Sequence, residues 1–420
     1  MNLYLGLACV VGACTGLVFG YDLGVAGGVA SMPDFQKLFF QQVYQRTEQQ
    51  GSPYCKLCMG LGIGLVVQSG PLFLAELAPA HLRGRFGFMF QLFVTCGLLL
   101  AQVVNYLVRD LEVGWRISLG LECVPALLLV VGSLLGPDTP ASLAQRGRMA
   151  CCEATLQKLR GTRDVWQELT ELLGASSGQS TASACRLLLT ARALVPQLVL
   201  TVFLAAANQL NMINGVVFFM PQLMQSLGGG RGMSLLMSVV VGGVNVAATV
   251  AAVHAVDKLG RRTLLLWTTA LAMSCLATAG ALLLMFLDTT SGSMPPGATA
   301  GFVAVTCLFI VSHAFGIGPL AWLMCSELHP LQTRAAGAGL GVVVNFAFSF
   351  FIGQVFLTML CALRAGVFFM FAGIQALVLV VHYFLVPETK GVPLDQVQGL
   401  FAAHKVWRKY AVADATVDRC

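Results

Sequence analysis

The sequence has 420 residues, of which 57% are hydrophobic and only 10% charged, with a net charge of +6. Soluble domains carry about 25% charged residues, so this composition excludes an ordinary water-soluble protein, a disordered chain and a collagen-like one. With a mean hydropathy of +0.79, the chain reads as a polytopic membrane protein.

The basic excess does not point to nucleic acid, because no Lys/Arg cluster carries an RNA- or DNA-binding motif. In a membrane chain such residues mark the cytoplasmic side instead. Most of the fourteen Cys lie in apolar runs, as Cys9, Cys96 and Cys275 do, where Cys packs as a small hydrophobe. No Cys/His spacing suits zinc. There is no phosphate loop, Walker motif or catalytic triad, so no enzyme, metal or cofactor is expected.

Apolar runs of about 18 or more residues mark membrane helices. In chain order they cover 3–30, 57–80, 86–108, 117–135, 194–223, 234–256, 263–287, 301–324, 337–360 and 365–385. The first run is too long for a cleaved signal peptide, lacks a basic start and contains Asp22. The segment 33–53 reads as a small cap on the outer side. The polar stretch 137–192 reads as a cytoplasmic linker with helices near 152–160 and 165–173. With the N-terminus inside, eighteen of the 25 Lys and Arg face the cytoplasm, which places both termini there.

A repeat underlies this order. Glu76-Leu-Ala-Pro79 followed by Arg83 matches Glu327-Leu-His-Pro330 followed by Arg334, an offset of 251; Pro137-Asp138-Thr139 matches Pro387-Glu388-Thr389, an offset of 250. Two related halves joined by a linker are a common transporter layout. The halves are unequal. Gln209 precedes Glu327 by 118 residues, whereas Asp22 precedes Glu76 by 54. The shortfall of 64 suits two helices with their loop, missing near residue 56. The expected division is therefore a first half at 1–137, a linker at 138–193, a six-helix second half at 194–387 and a tail at 388–420.

The motifs GYDLGVAGGV (20–29), SGPLFLAELAPAHLRGRFG (69–87), GWRISLG (114–120), PDTPASL (137–143), NQLNMING (208–215), VDKLGRR (256–262), GPLAWLMCSELHPLQTRAAG (318–337), FLTMLC (356–361) and VPETKGVPL (386–394) occur in this order. In this set the chain resembles the sugar-porter branch of the major facilitator superfamily, most closely plant and algal monosaccharide–proton symporters. The resemblance covers nearly the whole chain and departs from the family at the two missing helices and their signature loop. It implies an all-α major-facilitator fold of about ten helices, four in the first half and six in the second. It also implies proton-coupled transport of a hexose such as glucose by alternating access. A non-transporting short form, a sugar sensor, and a pentose or polyol carrier are the alternatives. The expected partners are the sugar, protons and lipid. The plasma membrane is the expected location, with the vacuolar membrane as the alternative.

An ionised carboxylate at bilayer depth costs several kcal/mol unless paired, hydrated or protonated. Asp22 is therefore a functional candidate, and the resemblance makes it the proton-coupling acid; a structural hydrogen-bonding role is the other reading. The family partners this acid with an Arg, whose place Lys56 takes here. Lys56 either approximates that charge or is a loop residue brought there by the junction. Sugar recognition needs amides for hydroxyls and a ring for the C–H face. By resemblance Gln91, Gln209, Asn214, Asn245 and Asn345 are sugar contacts and Trp322 the aromatic cover, while Asn208 stands where the family has Gln. Interhelical hydrogen-bond glue is the competing account of these amides. Glu76, Arg83, Asp257, Arg261, Arg262, Glu327 and Arg334 either anchor helices at the cytoplasmic side or form the gate network that the resemblance implies. Cys55 and Cys361 lie near outer helix ends, where conditions are oxidising; a bridge between them and simple loop packing both remain open.

Overall fold

The computed structural model describes residues 3–29, 32, 53–78, 83–136, 138–162, 164–176, 181–226, 230–287, 294–330, 333–390 and 397–411. Every regular element among them is helical. In lipid the backbone must satisfy its own N–H and C=O groups, and a helix does this within one segment.

The first half holds α1 (Leu3–Val29), α2 (Pro53–Leu77), α3 (Arg83–Leu107) and the pair α4 (Gly114–Gly120) and α5 (Cys123–Leu135). Four short helices follow: α6 (Pro140–Gln145), α7 (Met149–Arg160), α8 (Trp166–Ser176) and α9 (Thr181–Thr190). The second half holds α10 (Val195–Gln209), α11 (Ile213–Ser226), α12 (Arg231–Leu259), α13 (Arg261–Phe286), α14 (Pro296–Phe315), α15 (Ile317–Glu327), α16 (Arg334–Leu363) and α17 (Gly366–Leu385). Two short helices, α18 (Val397–Ala403) and α19 (Arg408–Ala411), complete the described chain.

Among the described residues nine helical stretches are long and apolar enough to cross a membrane. The remaining expected span is α2, a helix of 25 residues. Several helices run past the expected ends, to Arg83, Arg261 and Arg334, because backbone hydrogen bonding continues through polar residues where the apolar run stops. Apart from Pro53, the expected cap at 33–53 lies outside the described residues.

Three spans that read as continuous are broken. Between α10 and α11, Met212 adopts φ 67°, a left-handed conformation that costs a non-glycine residue about 1 kcal/mol or more. Gln375 Nε2 repairs part of the damage by donating to the freed carbonyl of Leu210 at 3.0 Å. Between α14 and α15 the break falls at Gly316, where a Cβ would lie 2.0 Å from Thr268 Oγ1. The third break separates α4 from α5 and contains Glu122.

Close helix approach builds the first half. A Cβ on Gly20 would sit 1.9 Å from the Val94 carbonyl oxygen, and one on Gly97 would sit 2.3 Å from that of Leu17, so α1 and α3 meet nearly backbone to backbone. Leu74, Phe90 and Val94 pack at this junction with α2. The linker has its own small core of Leu143, Cys152, Leu156, Val165 and Leu169. Arg160 ties it to the bundle: two guanidinium nitrogens donate to Glu168 and a third donates to the Leu77 carbonyl at 2.8 Å. The second half is cored by Phe302, Phe309, Phe368 and Phe371.

The helix starts keep the spacing of the repeat, since α3 and α16 begin 251 residues apart, at Arg83 and Arg334. Across the two halves, α12 packs against α3; within the second half, α13 packs against α17. Neither α12 nor α13 has a counterpart in the first half among the described residues.

Candidate functional site

One cavity of about 650 Å³, open mouth included, lies between the halves. Its wall includes Gln91 from α3, Asn208 and Gln209 from α10, Asn214 from α11, Asn245 from α12, Trp322 from α15 and Asn345 from α16. All seven residues read from the sequence as sugar contacts thus reach the same space. The break at 210–212 makes this possible. It ends α10 just after the Asn208-Gln209 pair and restarts α11 with Asn214 in its first turn, so three amides from one span face inward.

Three of these amides are already bonded to one another, and one of them to Ser349. Gln209 Nε2 donates to Asn345 Oδ1 at 2.8 Å, and Asn214 Nδ2 donates to both Gln209 Oε1 and Ser349 Oγ. Asn345 in turn donates to the Ala205 carbonyl at 3.3 Å. The chain of bonds orients the amides, and each can exchange a protein partner for a hydroxyl. Trp322 stands edge-on to Phe90, with centroids 6.0 Å apart and planes at 70°; Phe19 and Phe346 form a second edge contact at 5.8 Å. The apolar wall is therefore aromatic on both sides of the half interface. Phe19, Thr95, His313, Phe346 and Ser349 also line the cavity, and sequence reasoning missed them. A single Ser, Thr or Phe in an apolar helix carries no signal of its own, whereas His313, an ionisable group inside a span, was legible and was not singled out.

Asp22 projects from α1 between Phe19 and Leu23, both of which face the cavity. Its carboxyl lies within hydrogen-bonding reach of the Glu122 carboxyl at the α4–α5 break. Beside it Tyr21 donates its hydroxyl to the Ser118 carbonyl at 3.0 Å, which pins α1 to α4. Glu122 was legible as an acid inside an apolar run and was not singled out. The side chain of Lys56, the cation expected near Asp22, lies outside the described residues.

At the linker end of the bundle, Arg261 Nη2 and Glu327 Oε1 form a buried ion pair at 3.3 Å. Thr389 donates to the other Glu327 oxygen at 3.2 Å. In the first half Glu76 lies beside Thr139 and stands in the field of Arg334. The repeat thus places the same acid–threonine contact in both halves. Glu388, which the sequence reading used only as a repeat marker, accepts the backbone N–H groups of Arg261 and Arg262 at 2.8 and 3.0 Å. Arg262 was expected in an ion-pair network. Among the contacts described, its side chain instead donates to the Tyr383 carbonyl at 2.7 Å and lies over the Tyr383 ring. The side chains of Arg83, Asp257, Cys55 and Cys361 lie outside the described residues, and with them the choice between a Cys55–Cys361 bridge and loop packing.

The described residues hold no group of three or more His, Cys, Asp or Glu placed to bind a metal. What the cavity offers is amides, hydroxyls and rings enclosed between two halves, a chemistry of binding. A family model described as sugar (and other) transporter matches residues 53–401. The chain belongs to this sugar transporter family. Among relatives of this sugar transporter, H(+)/hexose cotransporter 2 of Parachlorella kessleri is 36% identical over 477 aligned residues, covering 97% of this chain and 88% of its own. Sugar transport protein 12 of Arabidopsis thaliana is 34% identical over 487 residues, covering 100% and 96%. Both alignments are longer than the 420 residues of this chain, so both relatives carry segments that it lacks. The proton:xylose symporter XylE, solved with 6-bromo-6-deoxy-D-glucose, has a TM-score of 0.71 at 24% identity, covering 94% of this chain and 87% of its own. That likeness concerns the fold, which is that of the major facilitator superfamily.

Proposed function

We propose that this sugar transporter carries a monosaccharide, a hexose such as glucose, across the membrane together with protons. The observation that carries the reading is the convergence of Gln91, Asn208, Gln209, Asn214, Asn245, Trp322 and Asn345 on one cavity between the halves. Amides bind hydroxyls by donating and accepting, and the indole covers a C–H face. Rocking of the halves about this cavity would open it to each side in turn. The hexose cotransporters among its relatives support the same substrate class.

The proton site of this reading is Asp22 with Glu122. Two carboxylates in contact at membrane depth repel strongly, and one proton held between them removes that repulsion. Phe19 and Leu23 flank Asp22 and face the cavity, so a rotation of α1 that follows sugar binding alters the carboxyl contact. Glu76, Arg261, Glu327 and Arg334 hold the linker end closed while the cavity faces the other side. Both termini and the linker lie in the cytoplasm, because Lys and Arg crowd that side, and the plasma membrane is the proposed location.

Uptake of labelled glucose into proteoliposomes under an imposed proton gradient tests this reading. The wild type should accumulate sugar when the source side is acidic, and Asp22→Asn should abolish accumulation while sparing exchange of sugar down its gradient. Unchanged uphill uptake by Asp22→Asn removes the proton assignment. A second reading, sugar binding without transport, is favoured by the two helices missing from the first half; binding with no uptake would support it.

A further inference from the structure

We infer that His313 is a hydrogen-bonding residue of the sugar cavity and sets which hydroxyl the site demands. The inference rests on the reading of this cavity as the monosaccharide site and adds to it a group that no amide motif supplies. His313 stands in the last turn of α14, directly before the Gly316 break, and lines the cavity with Asn208, Asn245 and Trp322. The break fixes its position. A Cβ on Gly318 would lie 2.7 Å from His313 Nε2, so only a glycine there leaves room for the ring, and the ring is wedged against the start of α15.

His313 is 6% exposed, and its Nδ1 has no hydrogen-bond partner among the described residues. An unpaired buried polar atom is costly, and native structures retain one mainly where a ligand or function uses it. Asn208 and Asn245, 5% and 4% exposed, have unpartnered Oδ1 atoms in the same wall. The cavity therefore has two kinds of polar surface. Gln209, Asn214, Asn345 and Ser349 bond to one another, and a sugar must exchange those bonds. His313, Asn208 and Asn245 hold atoms with no protein bond to exchange, so a hydroxyl that the wall admits to them gains a bond without breaking one. A site built to bond a particular hydroxyl discriminates strongly against an analogue lacking it.

The experiment compares wild type, His313→Phe and His313→Gln in purified full-length protein, with Trp fluorescence titration and proteoliposome uptake as parallel readouts. The probes are glucose and its 1-, 2-, 3-, 4- and 6-deoxy analogues. His313→Phe should weaken glucose binding about tenfold, the size of one lost hydrogen bond, and should leave binding of one deoxy analogue unchanged. His313→Gln, which keeps a donor and an acceptor, should recover most of the loss. A penalty equal for all six sugars, or none for any, overturns the assignment, because packing alone is blind to hydroxyl position. A wild type that binds none of the sugars removes the monosaccharide reading itself, and this inference with it. Melting temperatures of the two variants close to that of the wild type confirm that folding is intact.

Discussion

The last helix of each half is the same element of the repeat, yet the two sit in different surroundings. In α17 39% of the spanning window is buried; across α4 and α5 the figure is 11%. Phe368 and Phe371 of α17 are buried against a core that α13 helps to build. Leu127, Leu134 and Leu135 of α5 are 62%, 79% and 83% exposed, because no described helix of the first half takes the place of α13. A second pair repeats the lesson across the interface. α3 lies under α12 and its window is 50% buried, while its counterpart α16 is 28% buried and leaves Val343, Phe350 and Phe351 exposed. The two bare faces are those that a second and third helix of the first half would cover by symmetry. Lipid accepts an apolar face without penalty, so the fold persists without them while the halves lose part of their mutual packing.

The largest effect should come from Phe371→Ala in α17, a loss of about 3–5 kcal/mol, set against less than about 0.5 kcal/mol for Leu134→Ala in α5. Thermal melts in lipid nanodiscs read both, and equal losses would break the comparison. Glu327→Ala should cost about 3–5 kcal/mol, because it strands the buried Arg261 guanidinium. Glu76→Ala should cost less, since Glu76 is only partly buried.

His329, buried between α15 and α16 and hydrogen-bonded to Thr201 at 2.9 Å, sharpens the contrast with pH. Burial, and then the charge of Arg334, push its imidazole down to about 4. The unfolded chain binds a proton there near pH 6.5, so stability is full above that value and falls as pH drops toward 4. The loss approaches roughly 3 kcal/mol at most. Melts at pH 7.5 and 4.5 should show a smaller drop in His329→Phe than in the wild type, and an equal drop would count against it. Among the polar contacts the smallest effect expected is for Glu388→Ala, about 1–2 kcal/mol for two uncapped backbone N–H groups, read as a modest fall in melting temperature.

Much of the fold was legible because lipid leaves a chain few options. Runs such as 86–108 and 365–385 have to be helices, and both formed: α3 begins earlier, at Arg83, and α17 spans Gly366–Leu385. The site residues were legible to the extent that amides inside apolar helices are rare enough to stand out, as Gln209, Asn214 and Asn345 do. Glu122 carried the same kind of signal. His313, an ionisable group inside a span, did too; Ser349 and Phe19 did not, because their place in the wall depends on where neighbouring helices break and how closely they approach.

By itself the sequence determined that this chain belongs in a membrane and which amides and acids have to be accounted for, and its repeated motifs point to two related halves of unequal size. Those conclusions rest on hydropathy, spacing and the cost of polar groups in lipid, all local properties of the chain. The tertiary structure alone decided that seven polar and aromatic residues from six helices share one cavity, that Asp22 meets Glu122, and that Glu388 caps α13. Such pairings depend on packing between segments up to hundreds of residues apart, and no local property of the sequence encodes them.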